Sequence, residues 1–384
     1  MKPFRIDVSD EVLADLRARL ARTRWPNQLG GAGWDYGTEL GYLQDLCAWW
    51  RDVFDWRAQE ARLNQWEQFT TEIDGQHIHF LHARSREANA LPLVITHGWP
   101  GSIVEFSKVI EPLRDPVAHG GRASDAFHVI CPSLPGYGFS GPTRARGWGP
   151  ARVARAFAEL MRRLGYARYG AQGGDWGAVV TSQLARLDGE HVCGIHLNMV
   201  IAGQPEGFDP ARLTPAEKRA LADAAAFAQE GSGYMRIQGT RPQTVGYGLD
   251  DSPAGLAGWI VEKFRAWSDC ADASGERDVE RAFSRDELLT NITVYWVTGT
   301  ATSSARLYCE AMRSGEFGGP PRRIDVPTGC AIFPGEILRP PRAWAEAAYD
   351  VRRWTELPRG GHFAALEQPQ LLVDDVRAFF RELR

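Results

Sequence analysis

The sequence has no long hydrophobic run and no apolar segment at its N-terminus. None of its apolar stretches approaches the roughly 18–20 residues that a membrane-spanning helix requires. The first residues, MKPFRIDVSDEVLADLRARL, are charged throughout, so they do not resemble a secretion signal. We therefore expect a soluble, cytoplasmic protein that makes no contact with a membrane.

Cysteine is scarce, and neither sign of charge dominates. The six cysteines are scattered over 384 residues without a CxxC pair, which is typical of buried free thiols in a reducing compartment. The net charge of -4 comes from interspersed acids and bases, which argues against a surface for nucleic acid. A hydrophobic content of 44% is enough to form the core of one large domain with additions.

The pattern of apolar residues divides the chain into four segments. Residues 1–90 predict a helical N-terminal extension that ends in a β-hairpin. Residues 91–204 alternate short β-branched runs with amphipathic helices, and residues 316–384 resume that alternation. Residues 205–315 predict helices alone, which indicates a lid over the carboxyl edge of a sheet. The fold class is therefore α/β, with a mostly parallel sheet covered by helices on both faces.

The N-terminal extension has helix signals followed by hairpin signals. Ser9 is predicted to cap a helix that runs to about Arg22, with one apolar face made of Val12, Leu13, Leu16 and Leu20. The run GYLQDLCAWWRDVFDWRAQEARLNQW again has helical spacing, and its tryptophans suggest packing against another domain. FTTEIDGQHIHFLHA predicts a hairpin that turns at Asp74 and Gly75.

Three histidines of this hairpin, His77, His79 and His82, raise the question of a metal site. The HIH pattern places two imidazoles on one face of a strand. No cysteine or carboxylate cluster completes a zinc site, so we expect a solvated hairpin face and no bound metal.

Residues 173–177, GGDWG, have the spacing of a nucleophile elbow with Asp175 in the position of the nucleophile. Asp175 follows a predicted strand and precedes the helix GAVVTSQLARL. Gly173 and Gly177 supply the small residues that such a crowded, strained turn requires. A glycine-rich turn with an aspartate as helix cap gives the same pattern. GGDWG alone therefore leaves both interpretations open.

The segment His97-Gly98-Trp99-Pro100-Gly101 follows the predicted strand LPLVIT. In folds with a nucleophile elbow, the loop after this strand supplies one N–H group of an oxyanion hole. The residue after the nucleophile supplies the other. The expected donors are the main-chain N–H groups of Trp99 and Trp176.

Two loops near the C-terminus complete a catalytic triad. His362, in RGGHF, is expected to be the base, and Glu336, in FPGE, is expected to orient its imidazole. The chain order Asp175, Glu336, His362 matches nucleophile, acid and base. Asp325 and Asp350 are alternatives for the acid.

Taken together, HGWPGS, PGYGFS, GGDWG, FPGE and RGGHFAALEQP resemble the microsomal-type epoxide hydrolases of the α/β-hydrolase fold, over nearly the whole chain. More loosely, the chain is similar to actinomycete epoxide hydrolases of enediyne pathways, which would place it in antibiotic biosynthesis. The resemblance implies an enzyme without a cofactor and two lid tyrosines that bind the epoxide oxygen. Tyr234, in GSGYMRIQGTRP, and Tyr308, in SARLYCEAM, match those positions. The membrane anchor of the mammalian members is absent, so membrane attachment is not expected.

An aspartate suits a substrate whose reactive carbon is sp3. Attack by serine on such a carbon would leave an ether, whereas attack by a carboxylate leaves an ester that water can hydrolyse. We therefore expect Asp175 to open an epoxide while Tyr234 and Tyr308 protonate its oxygen. His362 would then activate water against the ester and release a vicinal diol. The expected partners are an epoxide and water.

Some alternatives stay open in the sequence. A haloalkane dehalogenase could use the same nucleophile, although such enzymes usually have an asparagine at the position of Trp99. A catalytically dead binding protein would be expected to have lost part of the constellation, and Tyr247 or Tyr295 could be mistaken for the lid tyrosines. The N-terminal extension could pack on its own chain or in a homodimer.

The lid also suggests what the substrate is. Its size and aromatic content favour a bulky, apolar, aryl-substituted epoxide. The residues beside Tyr234, namely Met235, Arg236 and Ile237, are expected to influence which ring carbon is attacked, with Arg236 and Ile237 in contact with the substrate.

Overall fold

A computed structural model describes residues 1–316 and 323–384 of the chain. Within them the strands form one sheet of nine, in the order β1-β2-β3-β5-β4-β6-β7-β8-β9. The strands are β1 (Lys2–Phe4), β2 (Gln68–Ile73), β3 (Gln76–Ala83), β4 (Leu91–Thr96), β5 (Phe127–Pro132), β6 (Tyr169–Gly173), β7 (Val192–Leu197), β8 (Ile324–Ile332) and β9 (Tyr349–Glu356).

Helices lie before, between and after the strands. They are α1 (Asp10–Ala21), α2 (Leu40–Asp52), α3 (Trp56–Leu63), α4 (Ile110–Arg114), α5 (Pro150–Arg163), α6 (Trp176–Leu187), α7 (Pro215–Ala226), α8 (Gly233–Thr240), α9 (Pro242–Asp251), α10 (Pro253–Trp267), α11 (Arg285–Thr298), α12 (Ala301–Ser314), α13 (Arg342–Ala348), α14 (Ala364–Glu367) and α15 (Pro369–Arg381). None of the helices described is long and apolar enough to cross a membrane.

The sheet is parallel from β5 through β4 to β9, which agrees with the predicted mostly parallel sheet. The strands β1, β2 and β3 pair antiparallel and join this sheet through β3 and β5. The hairpin between β2 and β3 turns at Asp74 and Gly75, both with positive φ (52° and 73°), as this two-residue turn requires. The N-terminal extension thus enlarges the main sheet.

Helix α1 begins where the sequence predicts, because the side chain of Ser9 accepts a hydrogen bond from the N–H of Val12. Its buried face consists of Leu13, Leu16 and Leu20, whereas Val12 is 37% exposed and lies outside the predicted apolar face. The tryptophan-rich run forms two helices, α2 and α3. Asp55 caps the second, since its side chain accepts from the N–H of Ala58.

The prediction of a solvated face for the hairpin histidines is wrong for two of the three. His79 is fully buried between Ser133 and Gln68, with ring nitrogens 3.0 and 2.8 Å from their side-chain oxygens. Burial lowers the pKa of His79 to about 3 and that of His82 to about 4. The rings of Phe4 and Phe139 pack against His79, and the ring of Tyr166 packs against His82, so residues from other segments cover both imidazoles. In the described part of the chain, no group of three or more His, Cys, Asp or Glu residues could hold a metal ion.

The helices α7 to α12 separate β7 from β8 and form the lid. Two of them begin with a capping box: Thr214 with Glu217 at α7, and Ser284 with Glu287 at α11. Helix α12 packs against α8 and α9, and α11 packs against α10. These contacts hold the inner faces of α8 and α12 over the carboxyl edge of the sheet.

Candidate active site

Asp175 occupies a sharp turn between β6 and α6. Its backbone has φ 51° and ψ -130°, a conformation that non-glycine residues adopt only under local strain. A Cβ atom on Gly177 would overlap the carbonyl of Thr96, and one on Gly173 would overlap the main chain of Gly177. The turn predicted around Asp175 is therefore present, and both glycines are needed for its close packing.

Residues 97–101, which we call the oxyanion loop, lie directly beside this turn. Thr96 at the end of β4 pairs with Gly173 at the end of β6, so the two following loops leave the sheet side by side. The main-chain N–H of Trp99 donates to Oδ1 of Asp175 at 2.8 Å. Trp176 is the first residue of α6, and its N–H belongs to a helix N-terminus, where negative charge is stabilised.

His362 lies between two carboxylates. Its Nδ1 is 2.7 Å from Oε1 of Glu336, and its Nε2 is 3.4 Å from Oδ2 of Asp175. Both His362 and Glu336 are buried, with 5% and 3% exposure. Burial alone would lower the pKa of His362, but the carboxylates of Glu336 and Asp175 raise it well above its ordinary value of 6.5. The imidazole is thus protonated while both carboxylates are charged.

The loops that carry His362 and Glu336 hold one another in place. Gly335 pairs with Gly361, and the N–H of Gly335 donates to the carbonyl of Gly360 at 2.9 Å. The N–H of His362 donates to the carbonyl of Trp267 at 2.9 Å, which connects the loop of His362 to the lid. The alternative acids are engaged elsewhere: Asp325 pairs with Arg323 at 3.2 Å, and Asp350 pairs with Arg352 at 2.9 Å. Of the three candidates, Glu336 is the acid in contact with His362.

Tyr234 and Tyr308 lie together above the oxyanion loop. The ring of Trp99 stacks on Tyr234 at 4.9 Å, and the ring of Trp176 meets Tyr308 edge-on at 4.7 Å. The two tyrosine rings are 5.8 Å apart. Burial raises the pKa of each phenol above its ordinary value of 10.0, and the charge of Asp175 adds to this shift. Both phenols therefore keep their protons at neutral pH.

The hydroxyl of Tyr308 is buried beside Tyr234 and Trp176, and makes no hydrogen bond of normal geometry within the described residues. A buried hydroxyl without a good partner is costly, so its position favours an acceptor supplied by a ligand. The two other tyrosines considered in the sequence have different roles. Tyr247 is 72% exposed, and the hydroxyl of Tyr295 donates to the carbonyl of Gly101 at 2.7 Å.

Tyr295 is part of a contact by which lid helix α11 holds the oxyanion loop. In the same helix, Asn291 donates to the carbonyl of Pro100 at 2.8 Å, and its side-chain oxygen accepts from Ser102 at 2.8 Å. The lid is thus hydrogen-bonded to the loop that holds Asp175.

A cavity of about 1240 Å³, which we call the substrate cavity, extends from Asp175 to the protein surface. Leu187 and Ile201 line it and are 46% and 40% exposed, so it opens to solvent on their side. Its lining includes the apolar and aromatic residues Trp176, Val179, Met199, Phe227, Met235 and Leu338, and also the charged residues Arg186, Glu316, Arg323 and Asp325. This volume exceeds the roughly 300–1,000 Å³ typical of pockets for drug-sized ligands.

Arg236 and Ile237 do not reach the substrate cavity. Both are exposed on α8, Ile237 by 43%, and neither lines the cavity. Successive residues of helix α8 point in directions about 100° apart. Tyr234 is therefore buried and Met235 lines the cavity, whereas Arg236 and Ile237 face solvent. The structure thus disagrees with the prediction for Arg236 and Ile237: of these three neighbouring residues, Met235 lines the cavity.

The sequence reasoning missed Glu105 and Asn198. Both line a second, small cavity beside Asp175 and His362. Glu105 lies eight residues after His97, in a 3₁₀ helix over Ile103–Lys108, and Asn198 follows β7. A glutamate in an otherwise apolar run, IVEF, is the one signal that could have indicated a buried carboxyl group.

The comparisons with known proteins agree with this geometry. Residues 1–106 match the family model of the epoxide hydrolase N terminus, and residues 92–230 match that of the alpha/beta hydrolase fold. A Stigmatella aurantiaca protein, provisionally named an epoxide hydrolase, is 52% identical over 100% of this chain and 85% of its own length. Epoxide hydrolase 1 of Sus scrofa is 40% identical over 99% of this chain and 88% of its own length.

Two solved structures extend the likeness to the fold. The epoxide hydrolase of Aspergillus niger superposes with a TM-score of 0.88 at 33% identity, over 100% of this chain and 96% of its own. The juvenile hormone epoxide hydrolase of Bombyx mori superposes with a TM-score of 0.92 at 33% identity, over 100% of this chain and 94% of its own. The protein is therefore a hydrolase of the α/β-hydrolase fold, as predicted.

Within that fold, the chain belongs to the epoxide hydrolases. The full-length identities and the N-terminal family model place it there, and they confirm the resemblance to the microsomal-type branch. Its substrate is accordingly an epoxide, and the second reactant is water.

Proposed function

We propose that the protein hydrolyses its epoxide in two chemical steps, with a covalent ester on Asp175 between them. The position of Asp175 between two sets of groups is the observation that carries the proposal. On one side Asp175 lines the substrate cavity together with Tyr234 and Tyr308. On the other side its Oδ2 is 3.4 Å from Nε2 of His362.

In the first step, a carboxylate oxygen of Asp175 attacks one carbon of the epoxide ring. The bond from that carbon to the ring oxygen breaks, and the ring oxygen takes a proton from Tyr308 or Tyr234. A phenol inside a buried site is a suitable donor, because the ring oxygen would otherwise leave as an unstabilised alkoxide. The product of this step is a hydroxyalkyl ester of Asp175.

Before the second step, His362 releases the proton on Nε2 to solvent, because esterification has removed one of the two carboxylate charges that held it. A water oxygen then attacks Cγ of Asp175 while the neutral Nε2 takes a proton from that water. Negative charge develops on the former carbonyl oxygen, where the N–H groups of Trp99 and Trp176 stabilise it. The bond from Cγ to the alkyl oxygen then breaks. The proton on His362 passes to the diol, and the second proton of the water restores the tyrosine. When the Asp175 carboxylate is restored, the imidazole takes a proton back from solvent. Glu336 holds the imidazole in the orientation that accepts a proton at Nε2.

The proposed substrate is a bulky, apolar, aryl-substituted epoxide. A cavity of about 1240 Å³ with aromatic walls supports bulk and apolar character. The similarity to enediyne-pathway enzymes extends the proposal to an aryl epoxide made during antibiotic biosynthesis. The turnover number should rise, or KM fall, from propylene oxide through styrene oxide to polycyclic aryl epoxides.

Intact-protein mass spectrometry of the His362→Gln variant tests the mechanism. Incubation with styrene oxide should give an adduct equal to the whole mass of the epoxide, located on Asp175. The matched control is His191→Gln, because His191 is exposed and its ring contacts Asp188 at 2.8 Å, away from the active site. That control should show no adduct and normal turnover.

The same experiment includes a bromoalkane to test the haloalkane alternative. An adduct that lacks the mass of hydrogen bromide, with none from any epoxide, would establish dehalogenation by Asp175. Addition of Asp175→Ala to the His362→Gln variant should abolish every adduct. An adduct that persists in this double variant would show that a residue other than Asp175 is the nucleophile.

A further inference from the structure

Asp175 borders two cavities, and no other residue of the described chain lines both. The substrate cavity lies on the side of the tyrosines. The second cavity, about 20 Å³, is bordered by His362 and Glu105 as well as Asp175. An internal space needs roughly 10–15 Å³ to hold one water molecule, so this one is large enough for a single water. We call it the water cavity.

The polar groups of the water cavity suit such an occupant. A buried water usually makes two to four hydrogen bonds. His362, Asp175, Glu105 and Asn198 all line it, together with residues of the oxyanion loop and apolar residues such as Phe106 and Leu372. A water in this cavity is thus bordered by both His362 and Asp175, and His362 does not line the substrate cavity.

Glu105 is held against the oxyanion loop. Its carboxyl group packs so closely on Gly101 that a Cβ atom there would overlap Oε1 of Glu105. Burial raises the pKa of Glu105 to about 8; the charge of Asp175 adds to the shift, while that of His362 and a hydrogen bond from the main chain of Gly98 oppose it. Glu105 keeps some accessible surface despite this desolvation, as expected for a deep side chain that borders an internal cavity.

Building on the proposed ester mechanism, we propose that Glu105 is a positioning residue for the hydrolytic water. Its carboxyl oxygen accepts one hydrogen bond from the water in the water cavity, while Nε2 of His362 accepts the other. With both hydrogens directed to acceptors, a lone pair of the water oxygen is directed at Cγ of Asp175. Glu105 exchanges no proton, so the atoms and charges of the second step stay as described.

Single-turnover kinetics of Glu105→Met with styrene oxide test the inference, because methionine has a similar size and lacks the acceptor oxygen. The fluorescence of Trp99 and Trp176, which flank Asp175, follows formation and decay of the ester. Formation should stay within about threefold of the wild-type rate, and decay should slow by about 10- to 100-fold, the range for leaving one buried hydrogen-bonding group unpaired. In the steady state kcat and KM should fall together, which leaves kcat/KM unchanged. Glu105→Gln, which keeps an acceptor oxygen, should recover part of the decay rate.

The control is Glu111→Gln, because Glu111 lies outside the water cavity and binds Trp66 and Arg114. Its kinetics should match the wild type. Equal slowing of both steps in Glu105→Met, or a fall in kcat/KM, would show that Glu105 only supports the oxyanion loop and would overturn the inference. Unchanged decay would overturn it as well. Absence of any adduct in His362→Gln would instead refute the ester mechanism, so the two failures are distinguishable.

Discussion

His362 lies with Nε2 3.4 Å from Oδ2 of Asp175, and in the proposed mechanism this pair links the two steps of the reaction. In the resting enzyme the charge of Asp175 helps to keep the imidazole protonated. A protonated imidazole cannot act as a base, and it does not need to while Asp175 is the nucleophile. Esterification removes that charge, so the pKa of His362 falls when a base becomes necessary. Under the proposed mechanism, one contact thus couples the charge of Asp175 to the protonation of His362.

The first prediction concerns pH. Decay of the ester requires neutral His362, so its rate should rise with pH and level off above the pKa of His362 in the ester form. That pKa should lie below the pKa of His362 in the resting enzyme, because one of the two carboxylates that raise it has been esterified. Formation of the ester should stay flat over the same range, since burial keeps Tyr234 and Tyr308 protonated. Single-turnover experiments across pH measure the rates of ester formation and ester decay. A decay rate that falls as pH rises would contradict the role of His362 as the base.

The second prediction concerns Glu336, whose Oε1 is 2.7 Å from Nδ1 of His362. Glu336→Gln removes the charge that favours the imidazolium ion and can select the wrong tautomer. Ester decay should slow by about 10²- to 10⁴-fold, as when the acid of a serine-type triad is replaced by its amide. The midpoint of the decay profile should move to lower pH, because the remaining carboxylate that raises the pKa of His362 is gone. The rate of ester formation should change little.

Glu356→Gln is the control for this variant, since Glu356 is exposed at the end of β9. It should leave both rates and the pH profile unchanged. A Glu336→Gln variant with normal ester decay would show that another group orients His362.

The sequence was informative wherever the constraint is local. The turn at Asp175 needs small residues on both sides whatever the rest of the chain does, so GGDWG predicts it directly. The turn at Asp74 and Gly75 is local in the same way, and both residues have the positive φ expected of it. Glu336 and His362 are far apart in sequence, and the known chain order of such triads predicted their contact.

The sequence was uninformative where burial depends on distant strands or on the rotation of a short helix. His79 is buried because the rings of Phe4 and Phe139 pack on it, contacts that its own segment does not encode. Arg236 is exposed because α8 turns it away from the cavity wall at Met235. Glu105 belongs to no recognisable sequence motif. Only the folded structure shows that it borders the same small cavity as His362.

The third prediction concerns the lid tyrosines. Tyr308→Phe and Tyr234→Phe each remove a proton donor without changing the ring packing against Trp176 and Trp99. Ester formation should slow by about 10²-fold in each single variant and further in the double variant, in line with general acid catalysis. Ester decay should remain close to the wild-type rate. Stopped-flow fluorescence with styrene oxide separates the two rates.

Tyr247→Phe is the matched control, because Tyr247 lies on the same lid and is 72% exposed. It should behave as the wild type. Normal ester formation in the Tyr234→Phe, Tyr308→Phe double variant would mean that a different acid protonates the epoxide oxygen.

The fourth prediction concerns Gly98 in the oxyanion loop. A Cβ atom at this position would overlap the side chain of Asp175, so Gly98→Ala must displace the carboxylate or the loop. Displacement by about 1 Å costs on the order of 10²-fold in rate, and we expect at least that loss in ester formation. The fold should persist, because the overlap involves one side chain at the edge of the sheet. Circular dichroism and single-turnover kinetics measure the two effects.

Gly248→Ala provides the comparison for Gly98→Ala. Gly248 lies within α9, and nothing lies within 4 Å of a Cβ atom there. Alanine in such a helical position should stabilise the protein by roughly 0.4–1 kcal/mol, since it restricts the unfolded chain, and the kinetics should not change. If Gly98→Ala formed the ester at the wild-type rate, the close contact between residue 98 and Asp175 would be unnecessary for attack. The 2.8 Å hydrogen bond from Trp99 to Asp175 would then hold the nucleophile without support from the packing of the loop.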